Sequence, residues 1–318
     1  MDGRKVLITG GLGYVGGRVA KFLAQRCDLD IVLGSRKECV SPTWLPEARV
    51  AGINWASSES LLSVCDGVDT VIHLAAMNDG ECMRDPVAAL EVNAVNTARL
   101  VEAAKRCNVR RFIYFSTAHI YGSPLIGGID ESTLPRSRHP YASSHRAAED
   151  VVLAAGNKMV SVVLRLSNAC GVPVHADANC WMLLMNDLCR QAVAERRLTL
   201  RSAGLQQRDF VTLHDVARGV LHMLDLSPTE IGDGIFNFGG GRAMRIIDMA
   251  EMIQARSAQV LGFTPEIVRP EPMPGEGGGE LKYCIDKLLA TGFRLTGDPA
   301  AEIDATLRFC QQVFKGGR

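Results

Sequence analysis

A glycine-rich turn near the start of the chain constrains its fold more than any other feature. The turn Gly10-Gly11-Leu12-Gly13-Tyr14-Val15-Gly16 follows an apolar run at residues 5–9 and opens a segment of helical periodicity. Glycine permits a tight turn and a close approach of the backbone to a pyrophosphate, which the free N–H groups of a helix N-terminus stabilise. In this context Gly10, Gly13 and Gly16, with Tyr14 and Val15 between them, predict a dinucleotide site.

Short β-branched runs alternate with longer segments of helical periodicity over the first 166 residues. This alternation is typical of βαβ units around a parallel sheet buried on both faces. We therefore predict an α/β fold with a Rossmann-type, doubly wound parallel sheet. The predicted strands are residues 5–9, 30–34, 49–53, 70–74, 111–116 and 160–166, and the predicted helices are residues 14–26, 59–65, 86–107 and 141–155.

The regular alternation weakens after residue 166. Helices are predicted at residues 181–196 and 246–259, while a helix at 210–224 and a strand at 235–238 are assigned to the main sheet. We expect residues 1–166 and 208–240 to form a dinucleotide-binding domain. Residues 167–207 and 241–318 are expected to form a smaller, interleaved C-terminal region that binds the substrate.

The composition excludes several classes of partner. Lys plus Arg and Asp plus Glu number 35 each, so no net charge attracts nucleic acid or an anionic membrane. The ten cysteines form no C-x-x-C pair, which argues against a zinc site and against a disulfide framework. No apolar run reaches the roughly 20 residues needed to span a bilayer, and no leader is recognised. We expect a cytoplasmic protein without a metal.

The end of the second predicted strand bears on the choice of cofactor. NAD-specific proteins place an acidic residue there to bind the ribose 2′-hydroxyl. This chain has Gly34-Ser35-Arg36-Lys37 instead. Ser35 and Arg36 can donate charge-assisted hydrogen bonds to a 2′-phosphate. NADP is therefore favoured over NAD, and the alternative is a solvated basic loop.

A set of ordered motifs points to a family. They are Thr9-Gly10-x-x-Gly13-x-x-Gly16, His73-Leu74-Ala75-Ala76, Asn93, Ser116-Thr117-Ala118-His119-Ile120-Tyr121-Gly122, Tyr141, Arg165-Leu166-Ser167-Asn168 and Arg208-Asp209-Phe210-Val211. With these motifs the chain resembles, over nearly its whole length, the extended short-chain dehydrogenases/reductases of the NAD-dependent epimerase/dehydratase family, which act mostly on sugar nucleotides.

The resemblance implies positions for the ligands. Asn168 and Arg208 would contact the diphosphate of a nucleotide sugar, and Arg269 would add a phosphate contact unless it is an ordinary loop arginine. Helices 86–107 and 141–155 would pair across a two-fold axis into a homodimer. The cofactor residues would be Asn54 and Trp55 near the adenine, and Leu74, Ala75, Ala76 and Asn93 along the groove.

The resemblance also implies catalytic residues. Tyr141 would carry a proton to or from the reacting oxygen, and Thr117 would form a hydrogen bond to that oxygen. The family places a lysine four residues after the tyrosine, where this chain has His145. Histidine is shorter than lysine and mostly neutral at pH 7. His145 is a working substitute, or it impairs the redox site without preventing ligand binding, or the chain has recruited different chemistry.

The predicted function is an NAD(P)-dependent sugar-nucleotide epimerase, dehydratase or reductase. Dehydration is disfavoured because Ala118 and His119 follow Thr117 where a dehydratase would need an acidic pair. His119 is either a spare proton carrier or, with more weight, a surface or structural histidine. The alternative function is a dinucleotide-binding regulatory or interaction protein on the same scaffold.

Overall fold

A seven-stranded parallel sheet forms the centre of the molecule. The computed structural model describes residues 3–37, 40–273 and 279–314. Its strands are β1 (Arg4–Thr9), β2 (Leu29–Ser35), β3 (Arg49–Gly52), β4 (Thr70–His73), β5 (Arg111–Thr117), β7 (Val160–Leu166) and β11 (Ile235–Phe238). They lie in the order β11-β7-β5-β4-β1-β2-β3, and every pair of neighbouring strands is parallel.

Helices cover both faces of this sheet, and three small sheets lie outside it. The small sheets pair β12-β10-β8, β13-β9 and β14-β6. Their strands are β6 (Gly127–Ile129), β8 (Asn168–Cys170), β9 (Arg197–Thr199), β10 (Gln207–Thr212), β12 (Ala243–Arg245), β13 (Glu266–Val268) and β14 (Leu281–Tyr283). The helices are α1 (Tyr14–Leu23), α2 (Ser58–Cys65), α3 (Asp79–Arg84), α4 (Pro86–Ala89), α5 (Asn96–Arg106), α6 (Pro140–Ala154), α7 (Leu184–Glu195), α8 (Leu213–Asp225), α9 (Pro228–Ile231), α10 (Ile246–Leu261), α11 (Asp286–Ala290) and α12 (Pro299–Phe314).

The strand side chains alternate between two apolar cores. Val6 and Ile8 of β1 pack into the core beneath α1 and α8, whereas Leu7 packs into the core beneath α2, α5 and α6. All three side chains are buried, as the continuous apolar runs of the sequence required. The predicted doubly wound Rossmann-type fold is confirmed.

The predicted helix over residues 86–107 is divided into three parts. It comprises α4, one π-helical stretch at Leu90–Val95, and α5. A π-helical turn widens the helix by one residue and so changes which side chains share a face. Helices α3, α9, α11 and α12 were not predicted from the sequence.

One predicted helix is present but begins three residues later than expected. Residues 207–212 form strand β10, and the helix that was expected from residue 210 begins only at Leu213. Strand β10 pairs with β8 and β12 outside the main sheet, while α8 returns to pack against α1. The β-branched and aromatic residues of this segment favour a strand, but its apolar run resembles a helix start. The division into two domains stays a prediction.

Two buried histidines, His73 and His145, lie near the Tyr114 ring of β5. The Nδ1 atom of His73 is 2.5 Å from the Thr9 hydroxyl, and its Nε2 is 2.9 Å from the Thr97 hydroxyl. Because Thr97 donates its own proton to the Asn93 carbonyl, it accepts from Nε2, and Nδ1 accepts from Thr9. His145 lies on α6, and its ring centroid is 6.1 Å from that of Tyr114.

The two histidines make the stability of the fold depend on pH. Burial lowers the pKa of His73 to about 3 and that of His145 to about 4. In the unfolded chain each titrates near 6.5, so below about pH 6.5 the unfolded state binds more protons. Their contribution is therefore complete above pH 6.5 and is lost as the pH falls. Urea denaturation at about pH 7 and about pH 5 should show a loss of about 2 kcal/mol per histidine.

His145→Gln provides the comparison for this prediction. The variant lacks one titrating ring, so its free energy of unfolding should fall by about 2 kcal/mol less than that of the wild type over the same pH interval. Equal losses in the two proteins would contradict the assignment of His145 as a buried, neutral side chain.

Candidate active site

The glycine turn between β1 and α1 is built so tightly that two of its positions exclude any side chain. Gly10 has a φ of +71°, and a Cβ there would lie 2.8 Å from the backbone nitrogen of Ala75. A Cβ on Gly16 would lie 2.2 Å from the Gly10 carbonyl oxygen. The Gly13 N–H donates to that same oxygen at 2.9 Å. No side chain caps α1, and no acidic residue lies in its first turn, so its N-terminus is suited to an anion.

A cavity of about 780 Å³ opens at this turn. It runs along the carboxyl ends of β1, β2 and β4, which is where ligands bind in open α/β sheets. Eight of the residues that were predicted to bind the cofactor lie on its wall. They are Gly10, Gly13, Ser35, Arg36, Trp55, Leu74, Ala75 and Ala76.

The cavity wall also contains residues that were not predicted. Glu81, Arg84 and Asp85 come from α3 and the residue after it, and Val92 and Asn96 from the π-helical stretch and α5. No motif marks α3, although Asn78 and Glu81 form a capping box that could have located it. The remaining unpredicted wall residues are Leu12, Gly34, Lys37, Ile53 and Met77.

Other predicted cofactor residues do not line this cavity. The Tyr14 hydroxyl donates to the Gly171 carbonyl at 2.8 Å, so this side chain connects α1 to the segment after β8. Val15 packs against the apolar core. The Asn54 side chain accepts from the Ala56 N–H at 3.1 Å, in a turn before α2. Gly16 has no side chain to line the cavity, and its role is to permit the tight turn before α1.

Asn93 connects the cavity wall to α6. Its Oδ1 accepts from the Met77 N–H at 2.8 Å, and its Nδ2 donates to the Ser144 hydroxyl at 3.0 Å. Asn93 is 1% exposed. Asn93 therefore has a structural role. Its two hydrogen bonds connect the wall residue Met77 to the helix that carries Tyr141.

Thr117, Tyr141 and His145 come together at the carboxyl end of β5. Thr117 ends that strand, Tyr141 lies in the first turn of α6, and His145 lies one turn later. The ring centroids of Tyr141 and His145 are 4.4 Å apart. The His145 Nδ1 is 2.9 Å from the Tyr141 carbonyl oxygen. Because a carbonyl only accepts, Nδ1 carries the proton and Nε2 is the basic atom of this ring.

Burial dominates the electrostatics of this group. It raises the pKa of Tyr141 to about 12, against a smaller lowering from the Thr117 hydroxyl. It also lowers the pKa of His145 to about 4, so this ring is neutral at pH 7. His145 therefore does not supply the positive charge that the family's lysine would place beside the tyrosine.

A buried ion pair holds α6 against the sheet. The Arg165 Nη2 and Nε atoms of β7 donate to the two carboxylate oxygens of Glu149 at 2.8 and 3.0 Å. The Ser116 hydroxyl, next to Thr117, donates to the same carboxylate at 2.5 Å. The Arg165 Nη1 donates to the Tyr121 hydroxyl at 2.7 Å. Tyr141 is thus positioned by a network two turns further along its helix.

The three predicted substrate residues differ in whether their side chains already have hydrogen-bond partners within the protein. Within residues 3–37, 40–273 and 279–314, the Arg208 side chain makes no hydrogen bond or ion pair, and burial lowers its pKa. The Asn168 Nδ2 donates to the Asp209 carbonyl at 2.9 Å, and the Arg269 Nη1 donates to the Ala203 carbonyl at 2.6 Å. Arg208 is therefore the best suited of the three to bind an anion.

Neither a metal-binding cluster nor a membrane-spanning helix is found within the described residues. Among them, no group of three or more His, Cys, Asp or Glu side chains is arranged to hold a metal ion. No helix in those same ranges is both long enough and apolar enough to cross a membrane.

Comparison with known proteins identifies the family of the chain. The model of the NAD dependent epimerase/dehydratase family matches residues 6–239. The mouse (Mus musculus) dTDP-D-glucose 4,6-dehydratase is 31% identical over 267 residues, which cover 79% of this chain and 72% of that protein. The UDP-glucose 4-epimerase of Streptomyces lividans is 27% identical over 293 residues, which cover 84% of each chain.

Solved structures agree with the fold. The UDP-N-acetylglucosamine 4-epimerase of Methanobrevibacter ruminantium superimposes with a TM-score of 0.80 at 21% identity, covering 98% of this chain and 100% of that one. The UDP-glucuronic acid 4-epimerase of Bacillus cereus, in complex with UDP-glucuronic acid and NAD, gives 0.79 at 20% identity, covering 97% and 99%. From the matched family model and its dehydratase and epimerase relatives, the chain belongs to the NAD-dependent epimerase/dehydratase family and is an enzyme of that type.

Proposed function

We propose that this enzyme oxidises or reduces a carbon of a nucleotide-linked sugar, with Tyr141 as the proton carrier. The observation that carries the proposal is the meeting of Thr117, Tyr141 and His145 at the end of β5. The relatives support a nucleotide-linked sugar as the substrate class, because their names give sugars linked to dTDP or UDP. Arg208 is the residue we assign to the diphosphate, since its guanidinium fork fits phosphate oxygens.

The site fits a nicotinamide dinucleotide. The turn at Gly10 and Gly16 leaves the N-terminus of α1 without a side-chain cap, and the cavity begins at that turn. A bound nicotinamide supplies the hydride acceptor or donor. Tyr141 holds its proton at pH 7 because its pKa is about 12. We therefore infer that donation of this proton to a ketone under reduction is easier than removal of a proton from an alcohol.

The second candidate function is dinucleotide binding without turnover. It is favoured by one observation, the neutral state of His145, whose pKa of about 4 leaves Tyr141 without a cationic neighbour at that position. On this hypothesis the groove still binds a dinucleotide, and the protein acts through the bound ligand.

Substitutions at the tyrosine and the histidine separate the two candidates. Tyr141→Phe should reduce turnover by about 100-fold or more, because it removes the proton carrier, and should leave dinucleotide affinity nearly unchanged. His145→Lys should keep or raise turnover, because it adds a charge that lowers the pKa of Tyr141. Turnover is measured by the absorbance of reduced nicotinamide with a panel of UDP and dTDP sugars and keto sugars. Affinity is measured by titration.

The wild type is the control for both variants. Dinucleotide binding in all three proteins with no hydride transfer in any would favour the second candidate. Turnover in Tyr141→Phe equal to that of the wild type would exclude Tyr141 as the proton carrier.

We propose that the basic end of the cavity favours NADP. Arg36 and Lys37 are exposed at the wall, beside Ser35 at the end of β2. Glu81 and Asp85 lie on the wall as well and oppose an additional phosphate. The proximity of Arg36 to the end of β2, where the ribose hydroxyls bind in this fold, supports the assignment.

Arg36→Ala tests the cofactor preference. The wild type should bind NADPH more tightly than NADH by about 1 to 3 kcal/mol, because Arg36 can form charge-assisted hydrogen bonds to the 2′-phosphate. The variant should lose most of this difference and keep its affinity for NADH. Calorimetric titration with both cofactors measures it. Arg110→Ala is the control, because Arg110 precedes β5 at the amino ends of the strands and its side chain pairs with Asp69 away from the cavity wall. Equal affinities in the wild type would overturn the assignment.

We further propose a homodimer. Apolar side chains are exposed along the surface of the α3, α4 and π-helical segments: Met83 is 59% exposed, Val87 79%, Leu90 48% and Val95 39%. These segments pack beside α6, so the exposed side chains continue the face that a two-fold partner would cover.

A charge on this face should dissociate the dimer. Leu90→Glu should convert the protein to a monomer at micromolar concentration, because burying an unpaired carboxylate costs several kcal/mol. Leu134→Glu, at an apolar side chain that is 64% exposed elsewhere, is the matched control and should stay dimeric. Light scattering measures both. A monomeric wild type would refute the proposal.

A further inference from the structure

His175 lies outside the family motifs, yet its side chain bonds to the glycine turn. It is half-buried in the segment that follows β8. Its Nε2 atom is 2.8 Å from the carbonyl oxygen of Leu12, a residue of the turn that lies on the cavity wall. Because a carbonyl only accepts, Nε2 carries the proton and donates it. A side chain from the second half of the chain thus reaches the backbone of the cofactor turn.

The peptide unit between Leu12 and Gly13 is held at both of its ends. The Leu12 carbonyl and the Gly13 N–H belong to this one planar unit and point in opposite directions. The carbonyl accepts from His175, and the N–H donates to the Gly10 carbonyl at 2.9 Å. Rotation of the unit would break both hydrogen bonds, so together they give it a single orientation.

This unit needs such a constraint because a glycine follows it. Gly13 tolerates positive φ, so sterics alone do not prevent the unit from flipping. After a flip, the carbonyl oxygens of Leu12 and Gly10 would face each other and repel, and the turn would have to open. The tight approach of Gly16 to the Gly10 carbonyl would then be lost, and with it the placement of the N-terminus of α1.

Packing on two sides orients the His175 ring. The ring of Trp44 stacks on it, with centroids 6.1 Å apart and planes at 7°. Trp44 belongs to the loop after β2, which leaves the cavity wall at Lys37. A Cβ on Gly17 would lie 2.6 Å from Val174 Cγ2, so the segment that carries His175 lies directly on α1. A donor whose ring is fixed in this way loses little side-chain entropy in its hydrogen bond.

An ion pair anchors the backbone of the same segment. The Arg18 Nη2 of α1 donates to the Glu302 Oε1 of α12 at 2.7 Å, and the Arg18 Nη1 donates to the Val172 carbonyl at 2.9 Å. The Val172 N–H donates to the Glu302 Oε2 at 3.2 Å. The Arg18 side chain is 20% exposed and that of Glu302 is 8% exposed. The segment is therefore held against α1 by contacts that do not involve His175.

We propose that His175 is a positioning residue for the dinucleotide. Its hydrogen bond fixes the Leu12–Gly13 peptide, and the glycine turn thereby keeps the shape that receives the pyrophosphate. The inference rests on the proposed dinucleotide site at this turn and goes beyond it, because it assigns a role to a residue from outside the turn. His175 acts through the backbone and needs no contact with the reacting atoms.

Two amide variants separate the hydrogen bond from the ring. The Nε2 of glutamine can occupy the place of the histidine Nε2, so His175→Gln keeps a donor to Leu12, whereas the side chain of His175→Asn is one bond too short. His175→Asn should weaken NADH binding by about 10-fold, and His175→Gln should stay within about threefold of the wild type. Calorimetric titration of the whole chain, freed of bound nucleotide, measures both. ADP-ribose, which keeps the pyrophosphate and lacks the nicotinamide, should lose the same factor as NADH.

Hydrogen exchange tests the peptide itself in the protein without a ligand. The Gly13 amide is released when the peptide unit flips, so it should exchange about 10-fold faster in His175→Asn than in the wild type. In His175→Gln it should exchange near the wild-type rate. His222→Asn is the matched control, because the His222 Nε2 is 2.8 Å from the Thr291 hydroxyl, away from the turn. It should change neither the exchange nor the affinity.

The outcomes distinguish this inference from the proposed function. Loss in His175→Asn with rescue in His175→Gln, in both measurements, supports the positioning role whether or not any sugar is turned over. Wild-type affinity in His175→Asn, equal loss in the two amide variants, or weaker binding without faster exchange overturns that role and leaves the dinucleotide site intact. A wild type that binds neither NADH nor ADP-ribose overturns both the site and the role of His175.

Discussion

The buried ion pair between Glu149 and Arg165 is the interaction on which the arrangement of the site depends. Both side chains are almost completely buried, and an unpaired charge in such a place is costly. The pair is satisfied by two hydrogen bonds between its members and by further bonds from Ser116 and to Tyr121. It joins α6 to β5 and β7, so the tyrosine at the start of α6 and the threonine at the end of β5 keep a constant separation. Loss of one partner would cost about 3 to 5 kcal/mol and would also release this constraint.

The main sheet could be predicted from the sequence because its signals are local. The glycine turn needs neighbours only a few residues away, and buried parallel strands appear as continuous apolar runs. The π-helical stretch at Leu90–Val95 could not be predicted, since one extra residue per turn leaves the composition of a helix unchanged. The end of strand β10, at residues 210–212, was assigned to the helix that follows it, because its partner β8 is about 40 residues earlier in the chain and this pairing decides its conformation.

The candidate site was predictable to the extent that its residues belong to motifs. The wall residues Leu74, Ala75 and Ala76 follow β4 directly, and they lie where the motif indicates. The neutral state of His145 was expected from the ordinary pKa of histidine, but the lowering of that pKa to about 4 was not, because it depends on burial between α6 and β5 and sequence alone does not give a dielectric environment. Tyr14 and Asn93 belong to the motifs, yet their side chains serve the packing around the groove. A motif therefore locates a residue without stating which of its atoms is used.

The unpaired guanidinium of Arg208 has a consequence for the protein without its substrate. A cation that has lost part of its hydration and has gained no counter-ion within the described chain raises the free energy of the empty state. Any anion that binds there restores the lost solvation, and the folded chain gains stability in proportion to how far that anion saturates the site. On the proposed assignment of Arg208 to the diphosphate, the protein without substrate is therefore less stable than the complex, and inorganic anions of the surrounding medium would compete for the same position.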